Sequence, residues 1–207
     1  MSILSLSYFH LFAVVLLLIL IMIFILNKRS CNAKSDNFHD IAKEITDSII
    51  LFIFIMCLIL IFIAKISFVH SDSMYPTLKK NDFIVINKLI YRFKKHQRGD
   101  VVSFNISLSG SQKEVNYTKR IVAIADDVIE MKNGKLFINE KPVKEKYLKA
   151  FGSYNISKTR IPSDNIFVLG DNRPLSNDSR ILGSIPVKNV TGKVFFRIWP
   201  PASIGTI

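Results

Sequence analysis

The sequence predicts a mainly β domain of folded-over antiparallel sheets, barrel-like in closure, carried behind two N-terminal transmembrane helices. Three observations predict it. Two unbroken apolar runs, Leu11 to Leu26 and Ile49 to Ala64, occupy much of the early part of the 207 residues. Beyond them come short β-branched runs punctuated by Gly, Pro, Asn and Asp, with no convincing helical period after Ser73. Frequent punctuation of this kind suits many short strands in a barrel or in folded-over sheets.

Each apolar run counts sixteen residues, fewer than the roughly 20 that cross a bilayer. Tyr8 and Phe9 lengthen the first. Ile66 and Phe68 are expected to lengthen the second past Lys65, whose ammonium can reach the interface along its own stem. No Lys or Arg precedes the first run and no small-x-small site follows it, which argues against a cleaved leader. No polar face interrupts it, which argues against a buried core helix. Lys28, Arg29, Lys34 and Lys43 lie between the runs, and the N-terminal tail has no such charge. The excess of cations puts that loop in the cytoplasm and everything after Lys65 on the outer face. The expected division is 1–27 for the tail and first span, 28–47 for the basic loop, 48–66 for the second span, and 67–207 for the β-rich domain.

Within that domain, Phe83–Asn87 and Val101–Phe104 are strand-like and bounded by Asn-Asp and Gly-Asp turns. Tyr117 to Ala123 is extended. Val128–Met131 and Leu136–Ile138 flank Asn133-Gly134, the strongest short hairpin signal, and form a short insertion around 125–160. Ile166–Leu169 runs into Gly170-Asp171-Asn172, and Val194–Trp199 is the last strand, ended by Pro200-Pro201. Ser107 to Lys113 reads as a loop tip and Lys141 to Ser157 as an irregular connection.

Charge narrows the partners. The 28 Lys and Arg outnumber the 16 Asp and Glu, a formal net charge of +12. Four of each sign precede Lys65, so the outer domain holds all of the excess. Such a domain is expected to lie against an anionic lipid bilayer. Nucleic acid is the other partner of a basic chain, and an outward-facing domain does not meet it. A plain bias toward Lys, Ile and Asn also inflates the charge. Cys31 and Cys57 fall in the loop and the second span, leaving the outer domain without a disulfide, thiol chemistry or a zinc cluster.

The chemistry centres on Ser71-Asp72-Ser73-Met74-Tyr75-Pro76-Thr77. A serine hydroxyl becomes a nucleophile only when a nearby base takes its proton. His70 is close in sequence, but a Ser-His arrangement needs an acid to orient the ring, and Asp72 is too near to do so easily. In an extended Tyr117–Ala123, alternation puts Tyr117, Lys119, Ile121 and Ala123 on one face and Arg120 on the other. A lysine on an apolar face is desolvated, which lowers its pKa toward that of a working base. Most lysines instead reach water, and periodicity alone favours that ordinary outcome. The segment Gly170 to Arg180 is dense in turn formers and charges; a polar loop would look the same, while an EF-hand would space its acids differently.

Four stretches together resemble the bacterial type I signal peptidases, membrane Ser-Lys proteases that cut signal peptides from exported proteins. They are Ser71-x-Ser73-Met74-x-Pro76-Thr77-Leu78, Arg98-Gly99-Asp100-Val101-Val102, Tyr117-x-Lys119-Arg120-Ile121-Val122 and Gly170-Asp171-Asn172-Arg173-x-x-Ser176-x-Asp178-Ser179-Arg180, in that order behind two apolar runs. The resemblance implies that Ser73 is the nucleophile and Lys119 the general base of a Ser-Lys dyad. It implies that Ser71 helps the Ser73 N–H form an oxyanion hole, that Ser176 orients the Lys119 amine, and that Asp178 and Arg180 form a structural ion pair. Val69, Leu78 and Tyr117 would line pockets for the small residues of an Ala-x-Ala signal-peptide site. No metal or cofactor is required, and the implied location is the bacterial inner membrane with the catalytic domain on its outer face. The chain departs from the pattern at Asp72, where Gly is common and where a carboxylate is expected to raise the Lys119 pKa. It departs also at His70, at Ala125-Asp126-Asp127 and at Pro174-Leu175. Two other functions fit the same residues: a self-processing or organellar Ser-Lys protease, and a membrane-tethered module that binds signal peptides without turnover.

Overall fold

The structure, a computed structural model, describes residues 38–107, 114–148 and 152–207. The first expected span and the first half of the basic loop lie outside the described residues. A 26-residue helix, Phe38–Ile63, carries most of the second apolar run. Its early turns hold His39, Asp40, Lys43, Glu44 and Asp47, and among the described residues no helix is long and apolar enough to cross a membrane. The helix ends at Ile63, and Ala64–Phe68 form a strand. Ile66 and Phe68 therefore do not prolong the helix, as the sequence suggested, because the backbone there bonds to a neighbouring strand instead.

A compact unit runs from Ile61 to Ile207. Among the described residues its strands are β1 (Ala64–Phe68), β2 (Phe83–Asn87), β3 (Val101–Ser107), β4 (Glu114–Ala123), β5 (Val128–Lys132), β6 (Lys135–Ile138), β7 (Lys141–Pro142), β8 (Ile156–Arg160), β9 (Asn165–Leu169), β10 (Ile185–Pro186), β11 (Val190–Trp199) and β12 (Gly205–Thr206). Helices within it are single turns, such as Ile90–Phe93 and Ser179–Leu182. The larger sheet is ordered β1-β2-β11-β3-β4-β9-β10, with β12 on β11; the smaller is β7-β6-β5-β8. Every pairing is antiparallel. The mainly β architecture is as expected, but the insertion is more than a hairpin. β8 adds to β5 and β7 to β6, and both fall at the ends of the stretch that read as irregular.

Alternation explains the cores. On β2, Ile84 and Ile86 point into a cluster with Val69, Met74, Leu78, Val101 and Val194. Val102, Phe104, Ile121, Ile166, Val168 and Ile185 form a second cluster. A bulge in the β4–β9 register between Ile121 and Ala123 turns Val122 and Ala123 together toward a third, shared with the small sheet through Ile129, Met131, Leu136 and Ile138. β4 therefore borders two cores, and its last residues, Ile121 to Ala123, are buried whichever way they face.

Candidate active site

The turn between β1 and β2 presents Ser73. Tyr75 N–H donates to the Asp72 carbonyl and Leu78 N–H to the Met74 carbonyl, so the chain coils back on itself. The Asp72 carboxylate accepts the Lys80 N–H at 3.0 Å. The turn is tied to the far end of the chain. Asn172 N–H donates to the Ser73 carbonyl at 3.0 Å, and Asn172 Nδ2 donates to the Asp72 carbonyl at 3.1 Å. Gly170 allows this approach, since a Cβ there would lie 2.5 Å from the Ser73 carbonyl oxygen and collide with the Ser176 side chain.

Lys119 comes from the middle of β4. It pairs laterally with Val102, as Tyr117 pairs with Phe104, so the four share one face. Lys119 is 3 % exposed and Ser73 6 %. The Lys119 Nζ stands 2.5 Å from Ser73 Oγ, and the Ser71 hydroxyl donates to the same oxygen at 3.2 Å. The ammonium also lies 5.8 Å from the Tyr117 ring centroid. Burial lowers the Lys119 pKa to about 8, outweighing the nearby Asp178 and Asp171, which raise it. Asp72 is not among the carboxylates that act on this amine; its charge is turned toward the Lys80 N–H.

Behind the amine, Asp178 and Arg180 are paired through two bonds, 2.8 and 2.9 Å. Asp178 also accepts the Gly170 N–H at 2.9 Å. Burial works to raise the Asp178 carboxyl, but the Arg180 guanidinium and the Gly170 N–H hold it below the usual range. Ser176 reaches ordinary hydrogen-bond geometry with no group among the described residues, Lys119 included. The Arg180 guanidinium bonds the Arg173 and Ser176 carbonyls and stacks 4.2 Å from the Tyr154 ring.

A cleft of about 370 Å³ opens over the pair, walled by Phe68, Val69 and His70 on one side and Asn116, Tyr117 and Thr118 on the other, with Met74 between. β1 is the terminal strand of its sheet, and β9 pairs with β4 only from Arg120 onward. The facing edges are thus open. Of the expected pocket residues, Val69 and Tyr117 line the cleft. Leu78 does not; it is 0 % exposed in the core with Met74 and Ile84 because the turn folds it under. His70 also faces the cleft, its ring edge-on to Phe68 at 5.1 Å.

Two networks were not foreseen. Arg120 bonds both Asp171 oxygens at 2.9 and 2.7 Å, and Thr77 Oγ1 donates to the same carboxylate at 2.5 Å. This joins the serine turn, β4 and the Gly170 loop at one buried anion. Arg173 and Glu145, both buried, pair at 2.5 Å, while Arg173 Nε donates to the Gly170 carbonyl at 3.1 Å. Tyr147 donates to Glu145 and lies under Arg120, 4.2 Å from its guanidinium. The alternation on β4 was signal enough to send Arg120 away from Lys119; nothing local marks Glu145.

The arrangement can transfer an acyl group: a hydroxyl, an amine poised to be neutral, a second hydroxyl and an open-edged cleft. The family described as signal peptidase, peptidase S26, matches residues 42–199. A probable signal peptidase I-1 from Synechocystis sp. is 33% identical over 150 residues, covering 70% of this chain and 76% of its own length. Signal peptidase I from Bacillus caldolyticus is 36% identical over 146 residues, covering 64% and 78%. The crystal structure of a signal peptidase I from Enterococcus faecalis V583 is 26% identical and covers 48% of this chain and 97% of its own, with a TM-score of 0.41. The chain belongs to the signal peptidase family, peptidase S26, and is a serine endopeptidase.

Proposed function

We propose that the protein is a membrane-bound endopeptidase that removes N-terminal signal peptides from exported preproteins through a Ser73–Lys119 dyad. The observation that carries this is the 2.5 Å approach of a buried Lys119 amine to the Ser73 oxygen. In its neutral form the amine accepts the Ser73 proton while Oγ attacks the scissile carbonyl. The resulting ammonium returns that proton to the leaving amine, and the acyl-ester remains. Water then attacks the ester, giving its proton to Lys119, and Ser73 is restored. Ser71, within reach of the reacting oxygen, and the Ser73 N–H would bind the oxyanion; such donors are worth about 3–4 kcal/mol each. Asp178 and Arg180 brace the loop behind the amine, and Ser176 packs against Gly170 in that loop. No metal or cofactor takes part in this scheme.

The open edges of β1 and β4 suit an extended peptide that adds as a strand between them. Val69, Met74 and Tyr117 would then line the pockets that receive its side chains, as an Ala-x-Ala site requires. Two spans, within 1–27 and 48–63, would hold the β domain on the outer face of the bacterial inner membrane, against the lipid where signal peptides reside. The test is incubation of the full chain, reconstituted in lipid, with a preprotein, followed by N-terminal sequencing of the product. One cut after a small-x-small triplet, lost in Ser73→Ala and in Lys119→Ala, is expected. Cleavage retained in either variant would sink the dyad, and a product fragment of the enzyme alone would point to self-processing.

A further inference from the structure

We propose that Lys88–Arg98 is a docking surface for the anionic headgroups of a lipid bilayer, with Phe93 entering the interface. The proposal rests on the reading above that the apolar run before β1 is a membrane span.

Composition comes first. The segment Lys88-Leu-Ile-Tyr-Arg-Phe-Lys-Lys-His-Gln-Arg98 holds five cations and no acid. Arg98 is engaged by Asp127, but among the described residues no acid pairs with Lys94 or Lys95, and both are exposed. Between these charges Phe93 is 83 % exposed, more than any other large apolar side chain described. In water that exposure is unfavourable; at a headgroup interface an aromatic ring among cations is stabilised.

Position comes second. Ala64 is the Cα partner of Asn87, and Lys88 N–H donates to the Ile63 carbonyl at 2.9 Å. The segment therefore begins where the apolar run ends. It is also held farther along. Asn87 pairs with Lys193 and Lys193 with Val102, while the Lys193 ammonium and the Tyr91 hydroxyl grip the two oxygens of Asp100 at 2.5 and 2.9 Å. From Ala64 to Val102 is three strand steps, about 14 Å at ~4.8 Å each.

A concavity of about 510 Å³ lies behind Phe93, with Lys94, Lys95 and His96 at its rim, Ile124 and Val187 in its floor, and Asp164 as the acid in its wall. His96 stacks on Tyr91 at 3.9 Å, and its Nε2 is buried with no partner among the described residues. An apolar floor under a cationic rim matches a phospholipid better than an acidic peptide, which would leave Phe93 in water.

The experiment uses the full chain in phosphatidylcholine vesicles with or without roughly a third phosphatidylglycerol. Trp199, the single tryptophan, is replaced by Phe, and Phe93→Trp is read by quenching from lipids brominated near the headgroup. Quenching is expected in the anionic vesicles and should fade with salt. In the added double variant Lys94→Gln/Lys95→Gln the docked-to-undocked ratio should fall about 25-fold, at about 5-fold per charge. An F93W indole that stays unquenched, or quenching that ignores both lipid charge and the two lysines, overturns the proposal. A separate Phe54→Trp variant, read with lipids brominated along the acyl chain, reports the span. If F54W is quenched and F93W is not, docking fails alone; if F54W is unquenched too, the span reading fails and docking with it.

Discussion

Lys119→Met should kill activity and stabilise the fold, and the stabilisation should depend on pH. Methionine keeps the unbranched stem and removes the amine. In the unfolded chain the Lys119 pKa is 10.5, and burial brings it to about 8 in the folded state. Below pH about 8 the folded protein must therefore hold a cation that its surroundings disfavour, at a cost of about 3 kcal/mol given about 1.4 kcal/mol per decade. Because the unfolded state binds the extra proton more readily, this penalty is full below about pH 8, shrinks between about 8 and 10.5, and is absent above. Methionine also forfeits the hydrogen bond to Ser73, worth about 1 kcal/mol. The net gain near neutrality is then about 2 kcal/mol, or roughly 4–8 °C in Tm for a chain of this size. Above pH about 10.5 the sign reverses, and the variant is about 1 kcal/mol the less stable. Thermal unfolding of the full chain in detergent, scanned from acid to alkaline pH, reads both limbs. A variant no more stable than the parent near neutrality, or a difference that ignores pH, would refute the claim that desolvation tunes this amine.

The same titration should govern rate: kcat/KM should rise about ten-fold between pH 7 and pH 9, as the neutral share of a group at about 8 grows from about a tenth to nine-tenths, then level off. A kcat/KM that stays flat across this range would count against the lysine as the base. Ser71→Ala should lower kcat about 10²–10³-fold with KM little changed, since its hydroxyl serves the developing oxyanion; equal loss through KM would mark a structural role. Gly170→Ala should cost more than about ten-fold in kcat/KM, because the added Cβ meets the Ser73 carbonyl at 2.5 Å. Removing the Ser176 hydroxyl as well should not rescue it, as the Ser176 Cβ and the Ser73 carbonyl oxygen both remain in the way at 2.5 Å; full rescue by G170A/S176A would show that the clash is with the hydroxyl only.

Much of this fold is local enough to read from residues. Ile84 and Ile86 alternate with half-exposed neighbours, and Asn133-Gly134 turns where strand-like runs meet, so β2 and the β5–β6 hairpin are written in short windows. β1 is not, because Ala64–Phe68 continues an apolar run and only its register with β2 makes it a strand. β8 escapes for the opposite reason: four of its five residues are exposed, so no alternation betrays it. In the site, the Lys119 face follows from two-residue periodicity on β4, and its partner Ser73 from the resemblance of four stretches. Leu78 was expected at the cleft and is core, since how a turn folds under itself depends on tertiary contacts. Glu145 was missed because its partner Arg173 is 28 positions away, and Glu145 itself carries no local signature.

The Asn172 clasp on the serine turn bears on how freely the side chains of that turn can vary. Asn172 grips main-chain carbonyls at positions 72 and 73, never the side chain at 72. The reacting alcohol is thus aimed by peptide groups that every amino acid possesses. A change at Asp72 would forfeit its bond to the Lys80 N–H but leave this clasp in place, so an engineer could vary this neighbour to alter substrate preference while the attacking oxygen keeps its aim.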